Sequence, residues 1–193
     1  MLEIVVATNN SNKLKEFRQI LGHDYDVKSL KDLSINIDVE EDEDTFFGNA
    51  LKKAKEVSAV TGKIALADDS GLMVDALGGA PGVYSARYSG ENATDASNRA
   101  KLLKEMQGVE NRTARFYASL VLYFPDGKII QADGSTEGEI LFEEVGENGF
   151  GYDSLFFSND LGLSFGEATN EQKNAISHRG RALEKLVRIL KGI

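Results

Sequence analysis

The chain has 193 residues, 41% of them hydrophobic, with a formal net charge of −9, no cysteine and two histidines. That length and apolar share suffice for a core in one compact domain, while the missing thiols exclude a disulfide framework and a thiolate zinc site. The acidic balance argues against a nucleic-acid partner, whose binding needs many Lys and Arg to release counterions, and no stretch reaches the ~20 apolar residues of a membrane span.

The opening Met1 to Ala7 lacks the basic start and the length of a signal peptide, so a cytoplasmic location is expected. Its apolar part, Leu2 to Ala7, predicts a strand, and Leu14, Phe17 and Leu21 predict a helix stopped at Gly22. Between them lie Thr8, Asn9, Asn10, Ser11, Asn12 and Lys13. A polar loop opening a helix presents free N–H groups that attract phosphate oxygens, with Lys13 as a point charge. The same residues also read as a plain Ser/Asn helix cap.

An extended run from Tyr25 to Leu30 leads into the acids Glu40 to Asp44, which read either as a carboxylate source for a cation or as a solvated face. Phe47, Ala50, Leu51, Ala54 and Val57 then mark an amphipathic helix ending at Gly62, with Lys53 beside its apolar stripe. Ile64 to Ala67 predicts a short buried strand, and Asp68, Asp69, Ser70 and Gly71 predict a turn at its end. Ligands of open α/β sheets favour that edge, and two adjacent acids there suit a hard cation such as Mg²⁺ carrying phosphates, or an ordinary Asp-rich turn.

Thr94 predicts the N-cap of a helix that stops at Gly108. Phe116 to Phe124 predicts a long strand that turns at Pro125, Asp126 and Gly127 into Ile129 and Ile130, a hairpin that makes the sheet mixed. Phe150, Gly151, Tyr152 and Asp153 combine flexible backbone, aromatic rings and a carboxylate, the ingredients for holding a base and equally for anchoring a loop. Thr169 to Gln172 fits a capping box that places Lys173 early in a helix, and Ser177, His178 and Arg179 open the last one, whose core face is Ala182, Leu183, Leu186 and Leu190. The alternation predicts an α/β class.

Five segments in a fixed order carry a resemblance: Thr8 to Lys13, Ala67 to Leu72, Leu77 to Tyr88, Phe150 to Asp153 and Ala175 to Gly180. Together they resemble the inosine triphosphate pyrophosphatase family, and specifically its bacterial nonstandard purine nucleotide pyrophosphatases, over essentially the whole chain. The resemblance implies one elongated α/β domain over residues 1–193 with a central mixed sheet, two lobes, a cleft between them and a homodimer. It also implies hydrolysis of ITP, dITP, XTP and dXTP to the monophosphate and pyrophosphate. Asp69 is then the catalytic base, Glu41 and Asp69 with Asp68 the Mg²⁺ site, and Lys13, Lys53 and Lys173 the triphosphate binders. Ser70 is a further substrate contact, and Phe150 to Asp153 with His178 and Arg179 recognise the base. In that scheme Phe150 stacks on the purine, Arg179 donates to its 6-carbonyl and Asp153 accepts from N1–H, a pattern that opposes adenine. Three positions depart from the family: Ser154 stands where proline is usual, Gly48 where glutamate is frequent, and Glu43 where glycine is common. The rival readings are a pyrophosphatase of pyrimidine or modified nucleotides and a nucleotide sensor without hydrolysis.

Overall fold

The structure, a computed structural model, describes residues 1–192. Seven strands form one sheet in the order β2-β1-β3-β4-β5-β6-β7. They are β1 (Leu2–Val6), β2 (Tyr25–Ser29), β3 (Ala65–Val74), β4 (Thr113–Tyr123), β5 (Ile129–Ile140), β6 (Phe156–Ser158) and β7 (Leu163–Ser164). The helices are α1 (Ser11–Leu21), α2 (Phe46–Thr61), α3 (Asp95–Glu105), α4 (Asn170–Ile176) and α5 (His178–Lys191). β1 pairs in parallel with β2 and β3, whereas β6 is antiparallel to both β5 and β7, so the sheet is mixed as the sequence predicts. Turn bonds from Gly127 N–H to Phe124 O and from Phe124 N–H to Lys128 O, both 2.9 Å, join β4 to β5.

The chain packs as two compact units. The first comprises Met1–Asp69, Ala118–Gly134 and the chain from Arg179 on; the second comprises Ser70–Tyr117 and Ser135–His178. In the first unit the two-residue period of a strand sorts the core into two layers. Ile4, Val6, Leu66, Leu120 and Leu122 pack with Phe17 and Leu21 of α1 and with Ala182, Leu183 and Leu186 of α5. Val5, Ala7, Ala65, Ala67 and Val121 point the other way and pack with Ala50, Ala54 and Val57 of α2. Each of the larger side chains contributes about 1.5–3 kcal/mol on leaving water. In the second unit Leu72, Val74, Leu102, Met106, Phe116, Ile140, Tyr152, Phe156 and Phe165 form a separate core.

One expected element is wrong, because no turn follows Ala67. β3 continues through Asp68, Asp69, Ser70 and Gly71 to Val74, ten residues in all. Leu72 and Val74 beyond the acids are fully buried, so the apolar pattern resumes and the strand continues through the polar step. The length of β3 decides how the two acids are used.

Candidate active site

Alternation along β3 dictates where each acid points. Asp68 shares the face of Leu66, toward α1 and α5, and Asp69 shares the face of Ala65 and Ala67, toward α2. Neighbours in sequence therefore enter different surroundings, although both are buried.

Asp68 meets cations. Lys13 Nζ of α1 lies 3.3 Å from its Oδ2, and Arg179 Nε of α5 donates to the same oxygen at 3.2 Å. Arg179 is only 2% exposed, and its Nη1 is paired with Glu16 of α1. Burial pushes Asp68 up, but the charges of Lys13, Arg179 and Lys53 outweigh it and hold the carboxyl well below the usual carboxylate range. Arg179 is disfavoured by burial and rescued by Asp68 and Glu16, so its value ends raised. Lys13 is lowered, first by burial and then by the like charges of Lys53 and Arg179, against the pull of Asp68 and Asp69.

Asp69 meets a polar amide and another acid. Asn49 of α2, fully buried, donates from Nδ2 to Asp69 Oδ2 at 2.9 Å and accepts the Glu43 N–H at 3.0 Å. Burial pushes the Asp69 carboxyl up, Glu41 adds to the rise, and Lys53, Asn49 and Lys13 offset part of it, leaving it at about 6. Lys53 completes the group from α2, donating to Glu41 Oε1 at 2.8 Å and to the backbone oxygen of Asp68 at 2.5 Å. Lys52 beside it pairs with Asp42 at the surface.

The loop before α1 is tied up locally. Asn10 caps the helix, its side chain accepting the N–H groups of Asn12 and Lys13 at 3.0 and 3.2 Å. Thr8 Oγ1 accepts from Asn10 N–H, and Asn9 donates to Ile37 O, while Ser11 and Asn12 are exposed. The cap reading thus holds for Asn10, and Lys13 is the residue of this loop that reaches the acids.

The second unit holds the remaining predicted residues. Lys173 of α4 donates to Asp153 Oδ2 at 2.7 Å, and the same oxygen accepts the Phe150 N–H at 3.0 Å. The ammonium also sits 4.6 Å from the centre of the Phe150 ring, a cation–π contact. Gly149, at φ +75°, leaves room for this carboxylate where a Cβ would collide with it. Tyr152 donates to Ser85 O at 2.7 Å, which makes the segment Gly78 to Tyr88 a support of this loop. His178 stacks on Phe116 with ring centres 5.0 Å apart, and Ser70 lies at the end of this unit in β3.

Two residues have neighbours other than those the resemblance groups them with. Lys173, grouped by resemblance with the triphosphate binders, sits with Phe150 and Asp153. Arg179, grouped with the base readers, sits with Asp68, Glu16 and Lys13. Asn49 and Glu16 were missed altogether. Asn49 had a signal, a polar residue directly beside Ala50 on the apolar face of a helix; Glu16 had only its position next to Phe17.

A Mg²⁺ site fits the donors present. Among the described residues no group of three His, Asp or Glu side chains is gathered for a metal. Mg²⁺ commonly takes one or two carboxylates and completes its shell with water and substrate phosphate. Glu41 and Asp69 supply such a pair, and Glu41 is the strongest charge raising Asp69, a repulsion that a divalent cation relieves.

Comparison with known proteins gives the family. The Ham1 family model matches residues 4–189. The chain belongs to the Ham1 family. A dITP/XTP pyrophosphatase of Geobacter sulfurreducens is 52% identical over 96% of this chain and 95% of that protein. One of Clostridium tetani is 48% identical over 99% of this chain and 97% of its own length. The structure of a HAM1 protein from Coxiella burnetii covers 100% of both chains with a TM-score of 0.91 at 41% identity.

Position 48 is closely packed. A Cβ on Gly48 would lie 3.0 Å from Glu43 Cβ and 3.0 Å from Thr45 Oγ1. Glu43 packs directly beside this glycine, so a larger residue at position 48 would need room from the Glu43 side chain.

Proposed function

We propose that this protein is a nucleoside triphosphate pyrophosphatase that hydrolyses nonstandard purine nucleotides, ITP, dITP, XTP and dXTP, to the monophosphate and pyrophosphate. The substrate class follows from relatives named dITP/XTP pyrophosphatase that match nearly end to end. The chemistry is carried by one observation: β3 presents two adjacent carboxylates in different surroundings, Asp68 held low among cations and Asp69 raised to about 6 by burial and Glu41. A base must be ionised at working pH and still have appetite for a proton, and only Asp69 meets both needs.

In the reaction a water oxygen attacks the α-phosphorus, its proton passes to Asp69, and the bond from the α-phosphorus to the bridging oxygen breaks. Pyrophosphate carries away the electron pair. Asn49 fixes the Asp69 carboxylate through its Oδ2. Lys13 and Lys53 bind phosphate oxygens, and Glu16 and Arg179 hold Asp68 so that Lys13 is placed and not neutralised. Glu41 and Asp69 would hold Mg²⁺, which when bound would supply charge to offset that growing on the leaving group.

Base recognition falls to the second unit. Phe150 stacks on the purine, Lys173 and His178 donate to the 6-carbonyl, and Asp153 accepts from N1–H. Adenine presents a donor at position 6 and no N1–H, so it is rejected by unmet polar groups, a mismatch worth on the order of 10⁴ at sites of this kind. A homodimer and a cytoplasmic location complete the proposal by resemblance; sedimentation in solution tests the first. No helix among the described residues is long and apolar enough to cross a membrane.

The test is a panel of ITP, dITP, XTP, GTP, ATP and CTP with and without Mg²⁺, read as pyrophosphate release. Metal-dependent pyrophosphate from the 6-keto nonstandard purines is the expected result. Orthophosphate as first product, or ATP and CTP used as well as ITP, overturns the proposal.

A further inference from the structure

The loop that carries Phe150 and Asp153 is held by side chains that take no part in the chemistry above. Asp95, the first residue of α3, accepts the Gly151 N–H through Oδ2 at 3.0 Å. Arg99, one helical turn later, donates from Nη1 to the Gly151 carbonyl at 2.9 Å. Residues four apart share a helix face, so one face of α3 grips both polar groups of a single loop residue. Gly151 has φ +61° and no side chain of its own, which leaves its backbone as the only handle.

The grip is extended to the far end of the loop. Arg99 Nε lies 2.5 Å from Glu144 Oε1, and the same oxygen accepts from Ser154 Oγ at 2.8 Å. Ser154 is the position where the family usually has proline. A proline ring limits the backbone directly, by fixing φ; here a hydroxyl limits it indirectly, through Glu144 and Arg99.

We propose that Asp95, Arg99, Glu144 and Ser154 form a brace that positions Phe150 and Asp153 and so sets affinity and selectivity for the purine base. They are positioning residues, and the proposal rests on the base site described under the proposed function. The loop contains left-handed glycines at Gly149 and Gly151, and the brace adds to the bonds that Tyr152 and Asp153 make within it and to their neighbours. Order imposed before the substrate arrives lowers what binding must spend on ordering. The reacting phosphorus is served by Lys13, Lys53 and Asp69, so loss of the brace appears in KM and not in kcat.

Steady-state kinetics on Arg99→Ala, Arg99→Lys and Ser154→Ala, together with inhibition by tripolyphosphate, test this. Tripolyphosphate carries the phosphates and no base. R99A is expected to raise KM for ITP about tenfold, equivalent to about 1.4 kcal/mol, with kcat within about twofold and the tripolyphosphate Ki unchanged. R99K recovers part of the loss, and S154A raises KM about two- to threefold, the effect of one modest hydrogen bond. Unchanged KM in R99A overturns the brace, and so does a tripolyphosphate Ki that rises in step with KM. Hydrogen exchange over residues 149–154 separates this from failure of the activity itself. If wild type does not hydrolyse ITP, the proposed function falls, while faster exchange in R99A still supports the brace and unchanged exchange refutes it.

Discussion

Replacing Asp69 with Asn should abolish turnover and at the same time stabilise the metal-free protein at neutral pH. The carboxyl is 3% exposed and is raised from 3.8 to about 6 by burial and by Glu41. Below pH 3.8 it is protonated in both the folded and the unfolded chain, and wild type and D69N should differ little. Between 3.8 and 6 the unfolded chain releases the proton while the folded chain keeps it, so wild type loses stability relative to the variant over that window. Above it the deficit is constant. At ~1.4 kcal/mol per pH unit it amounts to about 3 kcal/mol, or roughly 6–12 °C in Tm for a chain of this length. Thermal and urea unfolding in EDTA at pH 4 and pH 8 measure it. The amide keeps an oxygen for Asn49 Nδ2, so the bond within the core survives. Millimolar Mg²⁺ should narrow the gap by stabilising wild type more than the variant. Equal stability at pH 8, or a gain that is the same at both pH values, would refute the assignment of Asp69 as a strained base.

Asp68→Ala strands Lys13 and Arg179 in the interior and should cost about 3–5 kcal/mol in urea unfolding. Because Asp68 is held below its unfolded value, its contribution is present above about pH 4 and is lost as pH falls further, so the variant should show a shallower acid limb. Gly48→Glu should destabilise on its own, since its Cβ meets Glu43, and Glu43→Gly should restore most of that loss, a coupling read from a double-mutant cycle. Lys173→Ala should lower kcat/KM for ITP by tenfold or more beyond its effect on ATP, on the order of a lost charged hydrogen bond. Arg179→Ala should lower both about equally, and a loss confined to ITP would return Arg179 to the base site.

Much of the fold was legible because its signals are local. Thr94 and Thr169 cap helices with the predicted side-chain bonds, and Gly62 ends α2 in the left-handed conformation that favours glycine. Gly22 ends α1 with right-handed backbone, and its lack of a Cβ admits the Arg18 carbonyl oxygen, which would lie 2.5 Å from one. The extent of β3 was not legible, because Asp-Asp-Ser-Gly is turn composition and nothing within four residues reveals the cations that make the acids tolerable in a strand. Lys13 and Arg179 are remote in sequence from Asp68. Asn49 was hidden by a similar effect, since its partners Asp69 and Glu43 become neighbours only when α2 packs on β3.

The differences between motif grouping and placement share one cause. Family motifs are strings, and a string invites one role for all its members, yet secondary structure separates adjacent side chains by about 100° on a helix and 180° on a strand. Asp68 and Asp69 diverge across β3 into a cationic and an acidic environment. His178 and Arg179 diverge at the start of α5: the imidazole stacks on Phe116, and the guanidinium turns to Asp68 and Glu16. Lys173, one turn into α4, emerges on the face that meets Asp153. A role in this chain follows the face on which a residue emerges, and that face is fixed by where each strand or helix begins and ends.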